Sequence, residues 1–283
     1  MYFVCFVVRS YLRLNTPDIF VCEGRGLYGL RDLNGHAQRV FSEMEERAEP
    51  FAFGKSVLFH ANCFDWMEQR EKLRSFFHQW TRLLLPKLVP GANVLVASNP
   101  LLSPIVAGAM TDAGLERRGE IIRLVMTMRG GDRPKHAHEE FSDVSVMPRS
   151  MWEPWLVFRK PPEGRIQDNL RKWKTGGFRR PSAERPFGDV IESAPTRTSE
   201  RALAPHPSLK PQAFLRQIVR AALPLSDGVI LDPFAGAGST LAAAEAVGYA
   251  SIGIEKDASY FSVARKAIPK LAALRIASGD QVR

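Results

Sequence analysis

The decapeptide LDPFAGAGST, residues 231–240, constrains the fold more than any other stretch of the chain. Asp227-Gly228 is a turn signal, and Val229-Ile230-Leu231 is a short apolar run, so a buried strand is expected to end near Asp232. Ser239 or Thr240 can cap a helix. Leu241, Ala244 and Val247 then recur at helical spacing, and Gly248 ends the helix. A second apolar run, Ala250 to Ile254, leads to Glu255. The spacing predicts a β-α-β unit with a glycine turn at its first crossover. Gly236 and Gly238 let the backbone approach a ligand at a helix N-terminus.

The residue types narrow the ligand. A phosphate-binding P-loop needs a lysine after its last glycine, and Ser239 and Thr240 follow Gly238 instead. A dinucleotide fingerprint needs a third small residue where Leu241 stands, and Asp232 would repel a pyrophosphate. An acid at that strand end suits a cationic head, such as the ammonium and sulfonium of S-adenosylmethionine. Glu255, at the end of the next strand, can accept both hydroxyls of a ribose. Three readings stay open: a ligand-free glycine crossover, a dinucleotide site, and an S-adenosylmethionine site, which the residues favour.

The rest of the chain sets the scale. Its 283 residues allow a large core, and 45% apolar with 24% charged residues marks a globular protein. The net charge of +9 favours a polyanionic partner. Cys5, Cys22 and Cys63 form no CxxC pair and read as reduced thiols of a cytoplasmic protein. The apolar start MYFVCFVVRSYLRL lacks the features of a signal peptide, and no run reaches membrane-spanning length.

Residues 1–55 form an N-terminal segment of unclear role. Residues 56–159 carry the first part of an α/β sheet: strands at Ser56–Phe59, Asn93–Ala97, Ile121–Met128 and Trp155–Arg159. Helices are expected over 73–84, with Leu73, Phe76, Phe77 and Trp80 on one core-facing stripe, and over 103–113. Residues 160–207 change character. Between Arg165 and Arg185, seven Lys or Arg face two acids, with Trp173 and Phe178 among them. This stretch reads as an inserted, loop-rich basic region rather than a continuation of the sheet. Residues 208–275 hold a helix after Lys210-Pro211 and then the glycine unit; 276–283 is a tail. His136-x-His138 with Glu139 and Glu140 reads as a solvated loop and not a metal site, and Trp155 reads as core.

DPFAGAGST, IGIEKD (252–257) and HPSLKP (206–211) together resemble the β-type DNA amino-methyltransferases, which methylate adenine N6 or cytosine N4. The resemblance runs from about Ser56 to Ile268. It implies a Rossmann-like sheet in permuted order with an inserted target-recognition region, S-adenosylmethionine as cofactor and double-stranded DNA as partner. It implies that Asp232, Phe234, Gly236, Gly238, Ser239 and Thr240 line the methionine end of the cofactor, that Glu255 holds its ribose, and that Lys210 approaches its carboxylate. Asn62 stands where the family often has an acid near the adenine. Arg171, Lys172, Trp173, Lys174, Arg179 and Arg180 fall in the target-recognition region, where phosphate contacts are expected.

One part of the family pattern is missing. The catalytic segment, Asp/Asn/Ser-Pro-Pro-aromatic, should lie between Asn62 and about Leu73, where the sequence reads CFDWMEQREKLRSFF. The chain's one Pro-Pro, Pro161-Pro162, follows Lys160 and is misplaced. Asn99-Pro100-Leu101 lacks the aromatic. No catalytic residue can therefore be assigned, and a block carrying a strand and the catalytic loop is expected to be absent after about Glu71. The sheet should then lack a strand beside Val229–Leu231 unless Tyr2–Val8 fills the slot. A non-catalytic DNA-binding relative is the alternative to an active methyltransferase.

Overall fold

The computed structural model describes residues 3–7, 20–24, 27–30, 51–53, 56–58, 63–129, 133–134 and 136–276. Five short strands come first: β1 (Phe3–Val7), β2 (Phe20–Gly24), β3 (Leu27–Leu30), β4 (Phe51–Phe53) and β5 (Ser56–Leu58). Helix α1 (Cys63–Leu84) leads to β6 (Asn93–Ala97), α2 (Ser103–Asp112), β7 (Glu116–Arg129) and β8 (Ser150–Arg159). Then come α3 (Ile166–Trp173), β9 (Val190–Glu192), α4 (Thr198–Leu203) and α5 (Gln212–Ala222). The glycine unit closes the order as β10 (Val229–Asp232), α6 (Ser239–Ala246), β11 (Ala250–Gly253) and α7 (Ala258–Ala272).

The main sheet has the order β11-β10-β1-β6-β8-β7-β9. All neighbours are parallel except at β8, which runs antiparallel to both β6 and β7. The C-terminal ends of β10, β1, β6 and β7 therefore share one edge with the start of β8. Alternation splits the core into two layers. Leu95, Trp155, Val157 and Ile230 meet α5 through Phe214, Leu215, Ile218 and Val219, and α6 through Ala243 and Ala244. Val94, Val96, Leu156 and Phe158 meet α1 and α2 through Phe77, Leu84, Val106 and Met110. Strands covered on both faces read as continuous apolar runs, as NVLVA does, all five of its residues buried.

Several expectations need revision. Phe3–Val7 belongs to the main sheet: β1 pairs in parallel with Val229–Leu231 on one side and Val94–Val96 on the other. The slot beside β10 is thus filled by the N-terminal apolar run. Ser56–Leu58 is a strand, but it pairs with Phe51–Phe53 in a separate hairpin. Helix α1 starts at Cys63, ten residues before the apolar stripe, and takes in all of CFDWMEQREKLRSFF. The basic stretch is not wholly outside the sheet. Val190–Glu192 pairs with Ile122–Leu124, and the stacked rings of Phe178 and Phe187 pack on the core. Short β-branched strands and lone aromatics were masked in sequence by the charges around them. Among the described residues no helix is long and apolar enough to cross a membrane.

Candidate functional site

The glycine turn sits at the C-terminal edge of β10. Asp232 is the last residue of that strand and is 1% exposed. Its backbone carbonyl accepts from Ile254 N (2.9 Å), and Ala235 N donates back to Ile254 O (3.0 Å), so the turn is tied to β11. Gly236 has φ +53 and Gly238 φ +79. Gly238, and not Ser239 or Thr240, is the N-cap of α6; those two residues lie buried in its first turn. A Cβ on Gly236 would sit 2.9 Å from His206 Nε2, and one on Gly238 2.6 Å from Ile268. Leu241, which breaks the dinucleotide pattern, packs on Gly253 so closely that a Cβ there would lie 2.6 Å away.

Glu255 lies two residues past the end of β11. Its Oε2 accepts from Gly236 N (2.7 Å) and its Oε1 from Asp257 N (2.9 Å). Each oxygen keeps a further lone pair for a hydroxyl donor. Asp232 Oδ1 accepts from Phe234 N at 3.0 Å. Burial pushes the Asp232 carboxyl up to about 6; the Glu255 charge adds to this, while the Thr240 hydroxyl and the Phe234 amide oppose it. Phe234 packs against Trp80 of α1, ring centroids 5.7 Å apart. The residues 232–240 and 255 thus gather around one edge of the sheet. Asn62 lies outside the described residues.

The segment His206–Pro211 crosses the same edge. The His206 ring meets Tyr260 edge-on at 4.6 Å, and its Nδ1 accepts from Ser208 N at 3.2 Å. Burial, then the Lys210 charge, lowers the His206 pKa to about 4, so the ring is neutral at pH 7. Lys210 is buried. Its Nζ lies 2.9 Å from Glu153 Oε1, and Arg123 Nη1 donates to Glu153 Oε2 at 2.9 Å. Arg123 Nε also donates to Ser193 Oγ at 2.9 Å. Gln212 Nε2 reaches Ser239 O at 2.9 Å and so pins α5 to the glycine turn. His206, Glu153 and Arg123 were not singled out as site residues. An acid inside the apolar strand MWEPWLVF was the one available sign of the buried ion cluster.

Asn99 ends near this edge, after β6, with Oδ1 accepting from Leu101 N at 2.9 Å. Trp155 is fully buried. Among the described residues no group of three or more His, Cys, Asp or Glu could hold a metal.

The basic residues expected to meet DNA lie elsewhere. Arg171 pairs with Asp168 (2.9 Å); Lys172 pairs with Glu163 (2.6 Å), and Trp173 Nε1 donates to Glu163 at 2.7 Å. Lys174 Nζ donates to Arg171 O at 3.0 Å, and Arg179 Nη1 to the Tyr249 hydroxyl at 3.0 Å. Tyr249 precedes β11, so this group occupies the edge where the parallel strands begin, opposite the glycine turn.

The family model described as DNA methylase matches residues 123–266, just over half of the chain. The type II methyltransferase M2.LlaDCHI of Lactococcus lactis subsp. cremoris is 37% identical over 82 residues, 29% of this chain and 30% of that protein. M.ScaI of Streptomyces caespitosus is 40% identical over 78 residues, 28% of this chain and 25% of the relative. The matched stretches thus span under a third of these relatives. Among solved structures, the cytosine-N4-specific PvuII DNA methyltransferase aligns with a TM-score of 0.51 at 13% identity, covering 82% of this chain and 79% of that one. That likeness is one of fold.

Proposed function

We propose that this chain, which belongs to the DNA methylase family, takes S-adenosylmethionine at its glycine turn and moves the methyl group to an exocyclic amine of a DNA base, adenine N6 ahead of cytosine N4. The observation that carries the reading is the pair of acids flanking the turn, Asp232 beneath it and Glu255 hydrogen-bonded across it. The residues fit the cofactor on their own chemistry. The glycine turn has backbone where a side chain would collide with His206 or Ile268. The half-buried Glu255 has acceptor capacity for ribose hydroxyls. The buried Asp232 carboxyl is one that a nearby cation would return to its ionised form.

When bound, the cofactor supplies an electrophilic methyl group. The chain's own residues bind and orient. Glu255 takes the diol, Asp232 places negative charge under the cationic end, and Phe234, its ring packed on Trp80, holds the turn between them. Lys210, held by Glu153, carries positive charge toward the cofactor carboxylate. Because the target amine sits inside a base stack, the base has to leave the duplex to reach this edge.

One observation favours a second reading, binding without turnover. The stretch expected to carry the amine clamp is helical from Cys63 to Leu84. Without that clamp the in-line orientation, worth up to about 7–11 kcal/mol, is lost. Transfer of labelled methyl to unmethylated duplex DNA by the 283-residue chain separates the two readings. Incorporation supports the transferase; binding of cofactor and DNA with no incorporation supports the second reading.

A further inference from the structure

We propose that Lys174, Arg179, Arg180 and Arg220 form a second phosphate-binding surface, on the edge of the sheet opposite the glycine turn. It takes the backbone of duplex DNA away from the base being presented. The inference rests on the reading of the chain as a DNA-acting protein and extends it.

The placement follows from the anchors of the segment. Arg159 Nη1, at the end of the antiparallel strand β8, donates to Gly176 O at 3.1 Å. Asn93 Nδ2, at the start of β6, donates to Gly177 O (2.8 Å) and to Ala222 O (3.0 Å). Arg179 N donates to Ala221 O at 2.7 Å. Every one of these partners lies where the parallel strands start. Asp232 and Glu255 lie where they end. At about 3.3 Å per residue, a five-residue strand such as β6 keeps the two edges roughly 17 Å apart. A phosphate bound at the first edge cannot flank a base held at the second.

Charge sorts itself along this surface. Asp168 is taken up by Arg165 and Arg171, and Glu163 by Lys172. Lys174, Arg179, Arg180 and Arg220 have no acid within ion-pair distance among the described residues. Arg220 Nη1 donates to Arg180 O at 3.0 Å, which sets the two arginines side by side. They border an open groove of about 500 Å³ with Leu170, Pro181 and Leu225. The backbone that carries them is held by the stacked Phe178 and Phe187 and by the hydrogen bonds above. Such a preformed cationic edge loses little entropy on binding a polyanion. It carries no base-reading geometry, so its contribution is independent of sequence.

The test uses the full chain and fluorescein-labelled duplexes of unrelated sequence, with anisotropy read from low to high salt. Arg180→Glu with Lys174→Glu should weaken binding to every duplex and reduce the slope of log affinity against log salt by about 2, near 1 for each lost phosphate contact. Arg180→Lys with Lys174→Arg keeps the charge and should keep the slope. Calorimetry with sinefungin, a cofactor analogue, should give the same affinity in all three proteins, because the glycine turn is on the other edge. A photo-crosslinker on Ser182→Cys should label duplex DNA above the level given by the identically treated wild type, whose Cys5, Cys22 and Cys63 set the background. An unchanged slope in the charge-reversed protein, or no crosslink above that background while the wild type binds duplex, overturns the second surface alone. A wild type that binds no duplex, or that prefers RNA or heparin, overturns the DNA-acting reading with it.

Discussion

Cofactor affinity should rise about tenfold between pH 5 and pH 7, and Asp232 should be the cause. Burial holds this carboxyl at about 6 in the folded chain. It is then about one-tenth ionised at pH 5 and nine-tenths at pH 7. A cationic ligand above it selects the ionised form, so binding releases a proton below pH 6 and strengthens as pH rises. His206 does not blur the window, because with a pKa of about 4 it is already neutral at pH 5. The same shift has the opposite effect on stability. The folded pKa is raised above the 3.8 of an exposed aspartate, so the unfolded chain ionises first. Stability from this group is complete below about pH 4, falls as pH rises toward 6, and levels off about 3 kcal/mol lower. Asp232→Asn should flatten both profiles: weaker cofactor binding at pH 7, by about 1.5–3 kcal/mol, and no loss of stability between pH 4 and 6 from this source. Calorimetric titration with sinefungin and urea unfolding at matched pH check the two arms. Wild-type affinity that is flat or falls from pH 5 to 7 refutes the reasoning.

Glu255→Ala removes the acceptor proposed for the ribose and should weaken cofactor binding by about 1.5–3 kcal/mol, with an uncharged adenosine fragment losing as much as the full cofactor. Gly236→Ala at φ +53 drives a methyl group into the His206 ring; strain of about 1–3 kcal/mol should appear as a lower melting temperature together with weaker cofactor binding. Glu153→Gln leaves Lys210 and Arg123 facing each other in the core and should cost about 3–5 kcal/mol in urea unfolding, whereas Glu163→Gln, on an exposed and solvent-screened pair, should leave the urea midpoint unchanged.

The glycine-turn half was legible because its signals are local. A strand, a glycine turn and a helix in eighteen residues, Val229 to Ala246, leave one geometry open, and Val229–Asp232 and Ala250–Gly253 fall within a residue of where turn and β-branched residues put them. The helix cap was misread because a hydroxyl residue is the usual cap, while here the backbone enters α6 through Gly238 in the left-handed region. What sequence could not supply was distance. The basic residues 171–180 lie in a loop-rich stretch with no strand pattern of its own, and hydrogen bonds from Asn93 and Arg159 fix which edge of the sheet it occupies. Glu153 gave only a faint sign for the same reason: its partners, Lys210 and Arg123, sit on remote segments.

Strand β1 carries a consequence for how the chain reaches this state. Phe3–Val7 is the strand that hydrogen-bonds both β10 and β6, joining β10 and β11 to β6–β9. Its partners at Val229–Leu231 lie 226 residues further along the chain, so the central pairing has the longest sequence separation in the sheet. Such non-local parallel pairing forms slowly. Until it forms, one edge each of β6 and β10 stays open to pairing with other chains. Nascent chains should therefore depend on being shielded until β10 is made, and a stalled or shortened product would keep a strand-hungry, aggregation-prone centre.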